Sequence, residues 1–157
     1  MSMKKPVLIF LSVVFILASP PVFTASSDDQ IIDVKFEDLS ENQKNLIFGS
    51  RGPGKEASEM LKGIHFTVNS NWLYLWAVSK PGEHPSEEIV VPITYRLTGG
   101  GGRFTDKELD FALTESYYKR AYLDNHQYFI WIASGRNLGK AGEQNKFVVY
   151  AIAVRIQ

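Results

Sequence analysis

At 157 residues, 45% of them hydrophobic and 13% aromatic, the chain is long enough for one real core and too short for two ordinary domains plus a leader. Its 17 basic and 17 acidic residues cancel, which argues against phosphate-backbone binding as the main role, because that needs a basic surface. Cysteine is absent, so disulfides, thiolate nucleophiles and thiolate metal sites are excluded, and neither a cofactor nor a metal is expected.

The N-terminus follows the three-part logic of a secretory signal: Lys4 and Lys5, then an apolar run over 7–18, then Pro20 and Pro21. A membrane-spanning helix needs roughly 20 apolar residues, and this run ends short of that. Thr24, Ala25, Ser26 and Ser27 supply the small residues of a cleavage region, although Phe23 is bulkier than usual there. The reading is a signal peptide over 1–25 and a single globular domain over 26–157, with an uncleaved anchor as the alternative. Lys4 and Lys5 leave with the signal, so the remainder carries 15 basic against 17 acidic residues, about −2. Asn69-Ser70-Asn71 fails as a glycosylation acceptor, and no cysteine is present for lipidation. That composition leans towards a bacterial periplasmic or secreted protein.

Beyond the leader, 31–36 alternates as a first strand. Ser40 with Gln43 forms a capping box that predicts a short helix to about Phe48, and a second short helix is expected over 56–61. From Gly63 the period changes to two, in the runs 64–68, 72–78 and 89–97, which Val, Ile, Thr and aromatic residues dominate. Pro92 inside the last of these predicts an edge or a bulge. The tetraglycine 99–102 reads as a flexible connection. Thr105 with Glu108 resembles a second capping box, predicting the principal helix over 105–123, although Leu109, Phe111 and Leu113 also alternate at period two. Two apolar strands over 128–134 and 147–156 then form a C-terminal hairpin around the polar loop 135–145. No internal repeat is visible. The fold class expected is α+β: an antiparallel sheet of about five or six strands, with one main helix and the short N-terminal helices on one face.

Three features are candidates for function. The loop Gly49-Ser50-Arg51-Gly52-Pro53-Gly54-Lys55 has phosphate-loop spacing, but Glu56 stands where a hydroxyl should hold magnesium and a helix precedes the loop where a strand should, so an inter-helix loop is the plainer reading. The stretch Ser134-Gly135-Arg136-Asn137-Leu138-Gly139-Lys140, with Arg103, offers cations and backbone amides for an anion, against the reading of a solvated hairpin loop. Trp72, Tyr74 and Trp76 share one face of their strand while Leu73, Leu75 and Ala77 share the other. Such a strand is usually covered on both sides; if one side is open, it is a recognition surface.

Catalysis has little support, since His65, His84 and His126 lie far apart and no metalloprotease helix or serine elbow occurs. The leading expectation is an exported, non-enzymatic binding module of inhibitor or protective type. It would recognise a protein or peptide through Trp72, Tyr74 and Trp76 and the loop cations Arg103, Arg136 and Lys140. The alternatives are a glycan-stacking aromatic platform, or a small hydrolase using His65 or His126 with a carboxylate.

Overall fold

A computed structural model describes residues 30–80, 82–105, 111–138 and 146–156, so the export signal expected over 1–25 lies outside the described residues. In chain order come β1 (Ile31–Lys35), a 3-10 turn (Phe36–Asp38), α1 (Glu41–Phe48), α2 (Lys55–Leu61), β2 (His65–Val68), β3 (Trp72–Val78) and β4 (Ser86–Val91). Then follow β5 (Tyr95–Phe104), β6 (Phe111–Leu123), β7 (His126–Asn137) and β8 (Phe147–Arg155). Two antiparallel sheets result, one of five strands in the order β1-β2-β3-β8-β5 and one of three in the order β4-β7-β6. Both are open.

This corrects the expected α+β class. Strand accounts for 58% of the described residues and helix for 16%. The largest single difference is β6: where a main helix over 105–123 is predicted, 111–123 is one strand of 13 residues paired along its length with β7. The period-two pattern beats the helical one because Asp124 and Asn125 both adopt positive φ, 49° and 62°, as a two-residue hairpin turn requires. The capping-box residues Asp106 to Glu108 lie outside the described residues. The C-terminal hairpin is also corrected, since β7 belongs to the three-stranded sheet and β8 to the five-stranded one, between β3 and β5. Pro92 ends β4 at Val91, and the Tyr95 amide closes the turn on the Pro92 carbonyl at 2.9 Å, so the run 89–97 becomes parts of two strands in different sheets.

The tetraglycine is a strand rather than a connection: Gly99 to Gly102 form the middle of β5, paired with β8. Their lack of side chains is a packing requirement. A Cβ on Gly100 would lie 2.6 Å from Trp131 Cε2, and one on Gly102 would run into the Phe147 ring, with Ala133 Cβ 3.1 Å away. On the opposite face a Cβ on Gly101 would lie 2.6 Å from the Tyr150 hydroxyl. Aromatic rings from both sheets therefore lie against the bare backbone of β5, and the core between the sheets closes around Leu73, Leu75, Phe147, Val149, Ala151 and Ala153.

The two short helices are fastened to both sheets by their end groups. Ser40 and Gln43 form the predicted reciprocal capping box at the start of α1. At its other end, Arg155 Nη2 donates to the Leu46 carbonyl at 2.9 Å and Thr94 Oγ1 donates to the Ile47 carbonyl, satisfying acceptors that a helix end leaves free. The start of α2 is capped from 68 residues away: Asp124 Oδ2 accepts from the Glu56 amide at 2.8 Å, and the Asp124 amide donates to Glu56 Oε2 at 3.1 Å. Asp124→Asn keeps a residue that tolerates positive φ but removes the charge, and is expected to cost about 1 kcal/mol, read as a lower urea midpoint with unchanged slope.

Tyr95 and Tyr128 are both buried, and burial raises the pKa of each above the ordinary tyrosine value. Arg155 partly opposes this at Tyr95, whereas Asp124 adds to it at Tyr128. The unfolded chain therefore releases these protons first. Their contribution is complete below about pH 10 and is lost as pH rises towards the folded values. The melting temperature is expected to fall above about pH 10, and Tyr128→Phe, which also loses the hydroxyl's 2.6 Å bond to the Pro53 carbonyl, to flatten that fall while lowering the neutral-pH value.

Candidate functional site

β3 is central in its sheet, and its alternation divides it cleanly. Leu73, Leu75 and Ala77 are buried in the core, so Trp72, Tyr74, Trp76 and Val78 point to the other side of the five-stranded sheet. Register fixes their neighbours. Across β3, β8 and β5 the outward rows are Trp72 with Val154 and Arg96, Tyr74 with Ile152 and Gly99, Trp76 with Tyr150 and Gly101, and Val78 with Val148 and Arg103. The exposures of Trp72 (38%), Val78 (42%), Ile152 (40%) and Val154 (40%) show that this face is open to solvent, with Tyr74, Trp76 and Tyr150 half-buried among them.

The rings are held in place by their neighbours. Trp76 stacks on His65 with ring centroids 3.7 Å apart, and its indole N–H donates to Asp33 Oδ1 at 3.1 Å. His65 Nδ1 lies 2.9 Å from the same oxygen. Asp33 reaches both because it sits at φ 50° in an irregularity of the β1–β2 pairing. Tyr74 lies 6.0 Å from Tyr150. Burial raises the pKa of the Tyr74 phenol, Arg103 opposes that and Tyr150 adds to it, so the Tyr74 hydroxyl is neutral at physiological pH. Arg96 and Arg103 border the face on β5, and among the described residues neither has a carboxylate within ion-pair distance. The surface is thus apolar and aromatic at its centre, cationic along one edge, and bounded by Asp33 and His65 on the other.

No protein-family model, curated protein or solved structure matches the chain.

Of the residues singled out in the sequence, Trp72, Tyr74, Trp76 and Arg103 come together on this face. Arg136 is exposed on β7, opposite Ala112 in the other sheet, and Lys140 lies outside the described residues. Ser134 to Asn137 are strand, not hairpin loop, and Gly135 packs where Phe104 and Phe147 leave no room for a side chain. Tyr150, Ile152, Val154, Arg96 and Asp33 join them on this face without a local sequence signal. Their parity on β8 and β5 is legible, but which strands lie beside β3 is not.

The phosphate-loop spacing is an inter-helix loop between α1 and α2. The first free amides of α2, where a phosphate would bind, are taken by Asp124, which also accepts from the Ala57 amide at 3.4 Å. For hydrolysis, the His65 to Asp33 pair lies on an open sheet face, and no hydroxyl is bonded to the other ring nitrogen among the described residues. His126 Nδ1 lies 2.8 Å from the Asp124 carbonyl, an ordinary turn contact. Among the described residues no three His, Asp or Glu side chains gather as a metal site would need, and no helix is long and apolar enough to cross a membrane.

Proposed function

We propose that the chain is an exported binding module that recognises a protein or peptide partner through the outer face of its five-stranded sheet. The observation that carries this reading is the exposure of Trp72, Ile152 and Val154 beside Tyr74, Trp76 and Tyr150, a contiguous apolar patch that the described residues leave open. A protein is favoured over a sugar as the partner because aliphatic side chains fill the spaces between the rings. Sugar platforms surround their stacking rings with hydrogen-bonding groups, whereas protein interfaces combine aromatic anchors and Arg around a desolvated apolar centre. Arg96 and Arg103 at the β5 edge favour a partner whose rim is acidic.

The reading also rests on export, which places the module in the envelope or the culture medium. The test is retention of proteins from an envelope or supernatant extract on the immobilised protein, run beside Trp72→Ala and beside an immobilised-glycan panel. A protein species held by the wild type and lost from the variant is the expected outcome. Retention of glycans in its place, lost in the same variant, would replace this reading with the sugar platform.

A further inference from the structure

A second site lies at the β5 edge, where Arg96 and Gly99 border the aromatic face, in a cleft of about 260 Å³ between this strand and the β6–β7 hairpin of the other sheet. Arg96, Leu97, Thr98 and Gly99 line one wall, and Tyr118, Arg120, Phe129 and Trp131 line the other. Among the described residues the lining holds two cations and no carboxylate. The Arg120 guanidinium lies 5.4 Å from the centroid of the Phe129 ring, which orients it, and Tyr118 meets the same ring edge-on at 5.9 Å. Arg120, like Arg96, has no carboxylate within ion-pair distance among the described residues.

The decisive observation is Trp131. Its Nε1 is buried and donates to nothing among the described residues. The indole is pressed against the backbone of Gly100, so it cannot turn to find an acceptor without losing that contact. A buried donor without a partner is uncommon and costly in a folded protein, and here it belongs to a ring that lines a cleft presenting two guanidinium groups with no carboxylate in ion-pair distance among the described residues. We propose that this cleft binds a small anion with a flat apolar body, of which an aromatic carboxylate is the simplest form. Phe129, Trp131 and Leu97 would cover the apolar body, Arg120 would take the carboxylate with its forked donors, and the Trp131 N–H would find its missing acceptor. The volume falls just below the roughly 300 Å³ at which pockets for drug-sized ligands begin, so a ligand of one or two rings fits better than a larger one.

The experiment is titration of the purified protein with 2-naphthoate and with its uncharged amide, followed by calorimetry and by the indole N–H resonances of the three tryptophans. Saturable binding of the carboxylate is expected at submillimolar concentration, with the Trp131 resonance moving and the Trp72 and Trp76 resonances still. The amide should bind at least tenfold more weakly. Arg120→Gln should weaken binding at least tenfold with the melting temperature within a few degrees of wild type. If that variant proves unstable, Trp131→Phe, which keeps a ring but removes the donor, should weaken binding severalfold. A matched pair of peptides ending in phenylalanine, one with a free and one with an amidated terminus, identifies the source of the carboxylate. Tighter binding of the free-terminus peptide than of naphthoate assigns the cleft to a chain end, and the reverse to a small molecule. Absence of saturable binding by both carboxylates at millimolar concentration, equal affinity for the amide, or wild-type affinity in both variants would overturn the proposal. Arg96 and Gly99 border both the cleft and the aromatic face, whereas Arg120 and Trp131 line the cleft and are not in the rows of Trp72, Tyr74 and Trp76, so the two variants test the cleft separately from that face.

Discussion

Gly100→Ala and Gly102→Ala are each expected to destabilise the protein by about 1–3 kcal/mol or more, although alanine is the better strand residue. On backbone entropy alone, replacing glycine in a strand gains about 0.4–1 kcal/mol when the native conformation suits alanine. Here the sign reverses. At Gly100 the new methyl meets Trp131 Cε2 at 2.6 Å and the backbone carbonyl of Tyr150, and a paired strand cannot shift out of the way. At Gly102 it meets the Phe147 ring, which is fully buried and has nowhere to swing. The same tract contains its own controls. Nothing lies within 4 Å of a Cβ at Gly99, so Gly99→Ala should be neutral or stabilising. Gly101→Ala meets mainly the end of the half-buried Tyr150 side chain, which can turn outward at small cost. Urea midpoints for the four variants should rank Gly99 highest, then Gly101, with Gly100 and Gly102 well below. A flexible linker would give four similar values.

Trp72→Ala and Trp76→Ala are expected to separate binding from folding. Trp72 stands in the row of Val154 and Arg96 with much of its ring exposed, and its removal should change stability by about 1 kcal/mol at most. As an aromatic anchor of the proposed surface, its loss should weaken partner binding by about 2 kcal/mol or more, roughly 30-fold. Trp76 is also structural. Its removal loses the stack on His65 and leaves Asp33 without one of its two donors, which should cost about 1–3 kcal/mol of stability in addition to any loss of binding. Thermal unfolding beside a binding titration distinguishes the two. Equal stability losses in both variants would place Trp72 in the core in solution and remove it from the surface.

Short-range chemistry was legible in the sequence, and long-range pairing was not. The capping box of Ser40 and Gln43, the two short helices and the alternation of 72–78 all follow from neighbours within four residues, and each is found. The Asp124-Asn125 turn was equally local. As a hairpin signal it implies a strand over 111–123, because a hairpin turn demands one on either side. The tetraglycine misled for a different reason. Glycine signals flexibility when nothing approaches it, and only tertiary packing shows that Trp131, Tyr150 and Phe147 approach it from two sides. The partner of β3 is likewise set by sheet topology, so the sequence could name Trp72, Tyr74 and Trp76 but not the Tyr150, Ile152 and Val154 beside them. Asp33 escaped notice because its role depends on an irregularity in strand pairing that no local pattern announces. The unsatisfied indole of Trp131 is visible only once the cleft exists.

An exported binding module of this kind must meet another protein with the outer face of its five-stranded sheet. Photo-crosslinking measures this directly, with a photoreactive residue placed at Ile152, in the middle of the face, and in a second variant at Tyr122, exposed on β6 in the other sheet. A discrete protein adduct is expected from position 152 in envelope or supernatant extract and none from position 122. Adducts of equal yield from both positions, or from position 122 alone, would contradict it.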